Sequence, residues 1–223
     1  MNLSDRRSVT ASILCCKRLP QHQHRRKLQH FILSASAPRL NATKDNKQEP
    51  VPMSSLEGQV AIVTGAAGNL GHAVCRTLLD QGARVAQVDL DTRALESARA
   101  ELNSGSLSAA FAADLIDPNS VRDMVAAVVE HFGRIDILAN IAGGFTMGPP
   151  LHETPDKDWN FMMNLNARTV FNSCRGVIPH MLAAGGGRIV NVSARAATQG
   201  KGNMAPYCAS KAAVITLTES LAA

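Results

Sequence analysis

Tyr207 and Lys211 stand four residues apart in a segment that reads as helix from about Pro206 onward. Positions i and i+4 of a helix share a face, so a phenol and an ammonium meet at one site. A free phenol has a pKa of about 10, poor for accepting a proton at neutral pH. A neighbouring ammonium favours phenolate and moves the group toward general acid–base range, the chemistry needed to pass a proton to or from an alcohol or carbonyl oxygen. A second constellation lies upstream in TGAAGNLG, residues 64–71. Gly65 permits a tight turn, and the small Ala66, Ala67 and Gly68 let backbone N–H groups approach a pyrophosphate. Gly71 lets the following helix pack close, and that helix's N-terminus adds a favourable dipole. Asp89 falls 24 residues beyond Gly65. A carboxylate there accepts hydrogen bonds from a ribose diol and repels a 2′-phosphate, so NAD is expected over NADP. The turn contains no Lys or Arg, although Arg93 is close downstream.

Such residues need a scaffold, and the hydropathy pattern supplies one. Residues 60–64 (VAIVT) form a short β-branched run, as expected of a strand buried on both faces. Strands are also expected at 84–89, 107–113, 135–140 and 188–192, with helices at 69–81, 92–102, 118–132 and 154–184 and from 206 onward. Asp117-Pro118 reads as an N-cap followed by proline at the first helical position. Asp91 is the expected cap of the helix before it. Gly82 and Gly133 read as helix stops. Five strands alternating with helices call for a parallel α/β sheet covered on both faces, with ligands beyond the strands' carboxyl ends.

The 223 residues carry a net charge of +5, and its distribution is uneven. Residues 1–52 hold ten Lys/Arg against Asp5, Asp45 and Glu49, whereas residues 53–223 hold thirteen against fifteen acids. The globular part is therefore mildly acidic and offers no electrostatic case for nucleic acid. No apolar run reaches the length of a membrane span. The first 52 residues are expected to be a disordered basic tail. They read either as a mitochondrial or plastid presequence or as sequence upstream of a working start at Met53. Residues 9–16 are too short, and too broken by Thr10 and Ser12, for a secretory signal. The five cysteines show no metal-ligand spacing, so no metal is expected; free thiols suit a reducing, cytoplasmic setting.

Together these motifs resemble the short-chain dehydrogenase/reductase family over roughly residues 56–223. The turn is similar to the family's Thr-Gly-x-x-x-Gly-x-Gly, with Asn69 at the usual middle glycine. Asp114 matches an adenine-binding aspartate, and 140–143 (NIAG) looks like Asn-Asn-Ala-Gly with Ile141 replacing the second asparagine. Asn166, seven residues after Trp159, matches the tetrad asparagine, and 207–211 (YCASK) is the family's Tyr-x-x-x-Lys. The resemblance implies a Rossmann-like doubly wound parallel sheet, here with five of the usual seven strands. It also implies NAD(P)-dependent interconversion of a small-molecule alcohol and carbonyl, and a homodimer or homotetramer. It assigns cofactor contacts to Gly65, Gly68, Asn69, Leu70 and Gly71 of the turn, and to Asp89, Asp114 and Leu115 after the next strands. Asn140, Ala142, Gly143, Tyr207 and Lys211 complete that set.

By the same resemblance Tyr207 exchanges the proton, Lys211 also holds the nicotinamide ribose, and Asn166 holds a relay water. The family's serine lies thirteen residues before the tyrosine, which here is Ala194, whereas Ser193 lies fourteen before. A one-residue loop shift brings Ser193 into place, and Ser193 is therefore expected as the fourth catalytic residue. Dihydropteridine reductases resemble this pattern and work without that serine. Family members continue past the last helix, so a C-terminally truncated chain with an exposed fifth-strand edge is expected. The alternative function is a dinucleotide-binding remnant without turnover.

Overall fold

The computed structural model describes residues 8–16 and 55–223. Its sheet contains β1 (Ser8–Cys16), β2 (Val60–Thr64), β3 (Arg84–Asp89), β4 (Ser108–Ala112), β5 (Ile137–Asn140) and β6 (Gly186–Ala194). The strand order is β1-β6-β5-β2-β3-β4, and every pairing is parallel. The chain runs outward from β2 to β3 and β4, then crosses back to β5 on β2's other side. The carboxyl ends of β2 and β5 therefore flank the switch point, with Thr64 paired to Asn140.

Side-chain alternation on β2 divides the interior. Ala61 and Val63 pack with α1 (Asn69–Asp80) and α2 (Thr92–Leu102) through Val74, Leu78 and Leu95. Val60 and Ile62 face the opposite layer, built from α3 (Pro118–Phe132), α5 (Thr169–Ala183) and α7 (Ala205–Ala222). The expected caps are present. Asp91 accepts from the Arg93 and Ala94 amides, Asp117 accepts from the Asn119 amide, and Gly133 ends α3 at φ +81°. At the amino ends of β2 and β5, Asp136 accepts the Val60 N–H at 2.9 Å and three hydrogen bonds from Arg134. That hydrogen bonding, then the carboxylate's charge, raises the Arg134 pKa.

The expected parallel sheet with flanking helices is present, with all five expected strands. Ser8–Cys16 adds a sixth, parallel to β6 and in register from Ser8↔Gly186 to Cys16↔Ala194, so that β1 rather than β6 lies at that edge. This segment (SVTASILCC) has no charged residue, and an edge strand offers it a row of backbone partners. The expected order or disorder of 17–52, and the Met53 start, lie outside the described residues. The long helical stretch expected over 154–184 is present and has a register shift within it: α4 (Asp156–Met162) leads into a π-helical turn over Met163–Arg168 and then into α5. A short helix, α6 (Ala196–Gln199), also interrupts the loop before α7.

Candidate functional site

The turn after β2 is shaped by close backbone approach. Gly65 has φ +66°, and a Cβ on it would lie 2.9 Å from the Ala142 backbone. A Cβ on Gly71 would overlap the Gly65 carbonyl, so α1 reaches the strand only because residue 71 is glycine. Gly68 caps α1 without a side-chain hydrogen bond, leaving the first helical N–H groups facing outward from the turn. Asn69 is the first helical residue and needs no left-handed backbone, which explains how a side chain is tolerated there.

Three links tie the turn to neighbouring strand ends. Asp89 Oδ2 accepts the Ala67 N–H at 3.0 Å, while Oδ1 accepts Leu90 N–H at 2.8 Å. Thr64 Oγ1 accepts the Ile141 and Ala142 amides at 3.0 and 3.1 Å. Asp114 Oδ1 closes its own loop on Ile116 N–H at 2.9 Å. Between them lies a cavity of about 580 Å³. It is lined by Gly65, Gly68, Asn69, Leu70 and Gly71, by Asp89, Asp114 and Leu115, and by Ala142 and Gly143. Leu90, Ile116, Ile141, Leu165 and Thr169 also line it; Ile141 falls within the 140–143 motif, and the motif reading had no signal for the others. The glycine cradle, the two carboxylates and the cavity between them fit a nicotinamide dinucleotide.

Asn140 stands apart from this lining. Its amide is buried and donates to Asn191 Oδ1 at 2.8 Å, and Asn191 donates onward to Thr218 Oγ1 at 2.9 Å. The residue read as a cofactor contact is thus placed inside the core, bracing β5 against β6 and α7. Thr64, which sequence reading passed over, holds the β5 loop in its stead.

Beside the Gly143 rim of the cavity, the π-helical turn and α7 bring Asn166 and Lys211 together. The Thr169 N–H donates to the Asn164 carbonyl five residues back, so the π-helical turn shifts the helix register at Asn166. Asn166 is fully buried; its amide donates to the Gly144 carbonyl, the Met162 carbonyl and Ser210 Oγ at 3.1–3.2 Å. The buried Lys211 ammonium donates to the Val192 carbonyl at 3.0 Å. A Cβ on Gly143 would lie 2.7 Å from Asn166 Oδ1 and 3.1 Å from Lys211 Nζ. Both side chains therefore converge on one backbone point at the cavity rim. Tyr207 sits one turn before Lys211 on α7, and its ring meets Phe145 edge-to-face with centroids 4.9 Å apart.

Ser193 faces elsewhere. It is 1% exposed, and its hydroxyl donates to the Lys211 carbonyl at 2.8 Å. Ala194 occupies the next position and is buried without a hydroxyl. Strand alternation explains this: residue 193 points into the sheet–helix layer, whatever the loop beyond it does. Away from the site, burial pushes the Cys75 and Cys174 thiols up to about 12. Among the described residues no cluster of three potential metal ligands exists, and no helix is long and apolar enough to cross a membrane.

The sequence profile described as short chain dehydrogenase matches residues 59–223. The chain belongs to the short-chain dehydrogenase family. It is 40% identical over 169 residues to the D-threitol dehydrogenase of Mycolicibacterium smegmatis, covering 75% of this chain and 65% of that protein. It is 38% identical to the 2,3-dihydro-2,3-dihydroxybenzoate dehydrogenase of Bacillus subtilis, covering 74% of this chain and 64% of that one. Among solved structures, a NAD+-bound xylitol dehydrogenase superposes with a TM-score of 0.72 at 35% identity, over 74% of this chain and 64% of that chain. The chain thus spans just under two thirds of the length of these relatives.

Proposed function

We propose that the protein is an NAD-dependent oxidoreductase that interconverts a small-molecule alcohol and its carbonyl compound. The observation carrying this reading is the convergence of Asn166 and Lys211 on Gly143, at the rim of a cavity cradled by the glycine turn. A bound nicotinamide dinucleotide would supply the hydride acceptor, or donor, at its ring C4. Asp89 and Asp114 would hold its adenosine end, and Gly68, Asn69 and Leu70 its pyrophosphate. Asp89 favours NAD over NADP by its negative charge, and the xylitol dehydrogenase neighbour is described as NAD+-bound.

In the oxidation direction the Tyr207 phenolate takes the hydroxyl proton as hydride leaves the carbinol carbon; reduction reverses both transfers. Lys211 would stabilise the phenolate by its charge and hold the nicotinamide ribose. Asn166 holds the water through which protons reach Lys211. Ser193 acts at one remove, fixing the α7 backbone at Lys211 rather than meeting substrate. Trp159 and Phe161, exposed on α4, support pairing of two copies as a homodimer or homotetramer. The free Cys75 and Cys174 suit a reducing, cytoplasmic compartment. The test is NAD+ binding by calorimetry, followed by alcohol-dependent formation of NADH fluorescence. Tyr207→Phe should abolish the second without the first.

A second reading, dinucleotide binding without turnover, draws on the same strand end, because Ser193 is committed to the Lys211 carbonyl and Ala194 has no hydroxyl. Tight NAD+ binding with no hydride transfer to any alcohol or carbonyl compound would favour it.

A further inference from the structure

We propose that Phe145 forms the wall against which the substrate lies and selects an alcohol or ketone bearing an apolar group at its reacting carbon, rather than a polyol. The proposal rests on the oxidoreductase reading above and names the substrate class of that site. The Phe145 ring touches the Tyr207 ring edge-to-face at 4.9 Å, yet the residue remains 48% exposed. The ring thus stands beside the phenol without being buried.

The loop carrying this ring is braced on both sides. Gly144 is bound through its N–H and its carbonyl to the Asn166 side chain, each at 3.1 Å. Gly148 N–H donates to the Asn203 carbonyl at 2.9 Å, joining the loop to the one before α7. The apolar surface continues inward: a Cβ on Gly144 would lie 2.7 Å from Leu165 Cδ2, and Leu165 lines the cofactor cavity. Two residues beyond Phe145 along the same loop, Met147 is 69% exposed. At the end of β6, Ala194 carries no hydroxyl and the Ser193 hydroxyl is turned onto α7.

A substrate hydroxyl pressed on the Phe145 ring loses water and gains no hydrogen bond there, which disfavours a polyol. An apolar substituent in the same place gains by leaving water. The relatives described as threitol and xylitol dehydrogenases act, by name, on polyols, so the proposal separates this chain from them.

The test is calorimetric titration of the full chain loaded with NAD+, using cyclohexanol and xylitol as probes, for wild type, Phe145→Ala and Phe145→Leu. Cyclohexanol should bind at least about tenfold more tightly than xylitol. Phe145→Ala should weaken cyclohexanol about tenfold, and Phe145→Leu, which keeps most of the apolar area, should retain most of the affinity. Unchanged NAD+ affinity in both variants reports an intact fold. Equal or tighter xylitol binding, or an indifferent Phe145→Ala, overturns the proposal. If NAD+ binds but neither alcohol does, the proposal falls while the dinucleotide reading stands. If NAD+ fails to bind wild type, the oxidoreductase reading falls and takes the proposal with it.

Discussion

Asn166 and Gly144 form a reciprocal pair: the Gly144 N–H donates to Asn166 Oδ1 and the Asn166 amide donates to the Gly144 carbonyl, each at 3.1 Å. The same amide nitrogen reaches the Met162 carbonyl and Ser210 Oγ. One fully buried side chain thereby locks the loop after β5 to the π-helical turn and to α7. Asn166→Asp replaces that donor with an oxygen facing the two carbonyls. The expected result is a loss of about 2–4 kcal/mol in stability, more than Asn166→Ala, read by urea denaturation. An aspartate variant as stable as wild type would contradict the arrangement.

Tyr207 is the chain's single tyrosine, so ultraviolet titration of tyrosinate reports one group. Replacing Lys211 with Met removes the ammonium one turn along α7 while keeping its apolar stem. The phenol should then titrate at higher pH than in wild type, because a nearby cation favours phenolate. Identical titration curves would remove Lys211 from any electrostatic part in the chemistry.

The turn offers a geometric test. Gly71→Ala puts a methyl group into the Gly65 carbonyl, which must move along with the turn. Stability should fall by about 1–3 kcal/mol, and NAD+ affinity by tenfold or more. Gly105→Ala serves as a comparison for the lost glycine, since a Cβ there meets nothing within 4 Å, although its φ of +56° carries its own strain. NAD+ affinity should survive that second change.

Alkaline pH should destabilise the fold through the buried thiols. Cys75 and Cys174 hold their protons up to about 12 in the folded chain, against an ordinary value of 9.0. Between those values the unfolded chain releases protons that the folded chain keeps, so stability declines as pH rises through that window and is complete below it. Each thiol contributes at most about 1.4 kcal/mol per pH unit. In the Cys75→Ala/Cys174→Ala double variant, the slope of melting temperature against pH above 9 should be shallower than in wild type. Equal slopes would show that burial leaves these thiols free to ionise.

Much of the architecture follows from local pattern. The β-branched run at 60–64, Asp91 and Asp117 at their caps, Gly71 at the helix–strand approach and the four-residue spacing of Tyr207 and Lys211 are all readable within a few residues. Each rests on a repeat of two or 3.6 residues, or on the shape of one small side chain. The finer features depend on partners far away in sequence. Ser193 spends its hydroxyl on residue 211, Asn140 pairs with Asn191, Thr64 holds the amides of 141 and 142, and Ser8–Cys16 finds β6. Sequence by itself determined which residue types stand at the strand ends and on α7, and at what spacing. Only the tertiary structure decided where each polar group points and that Phe145 covers the edge of Tyr207, because a hydrogen bond or ring contact between distant segments is set by packing, not by spacing along the chain.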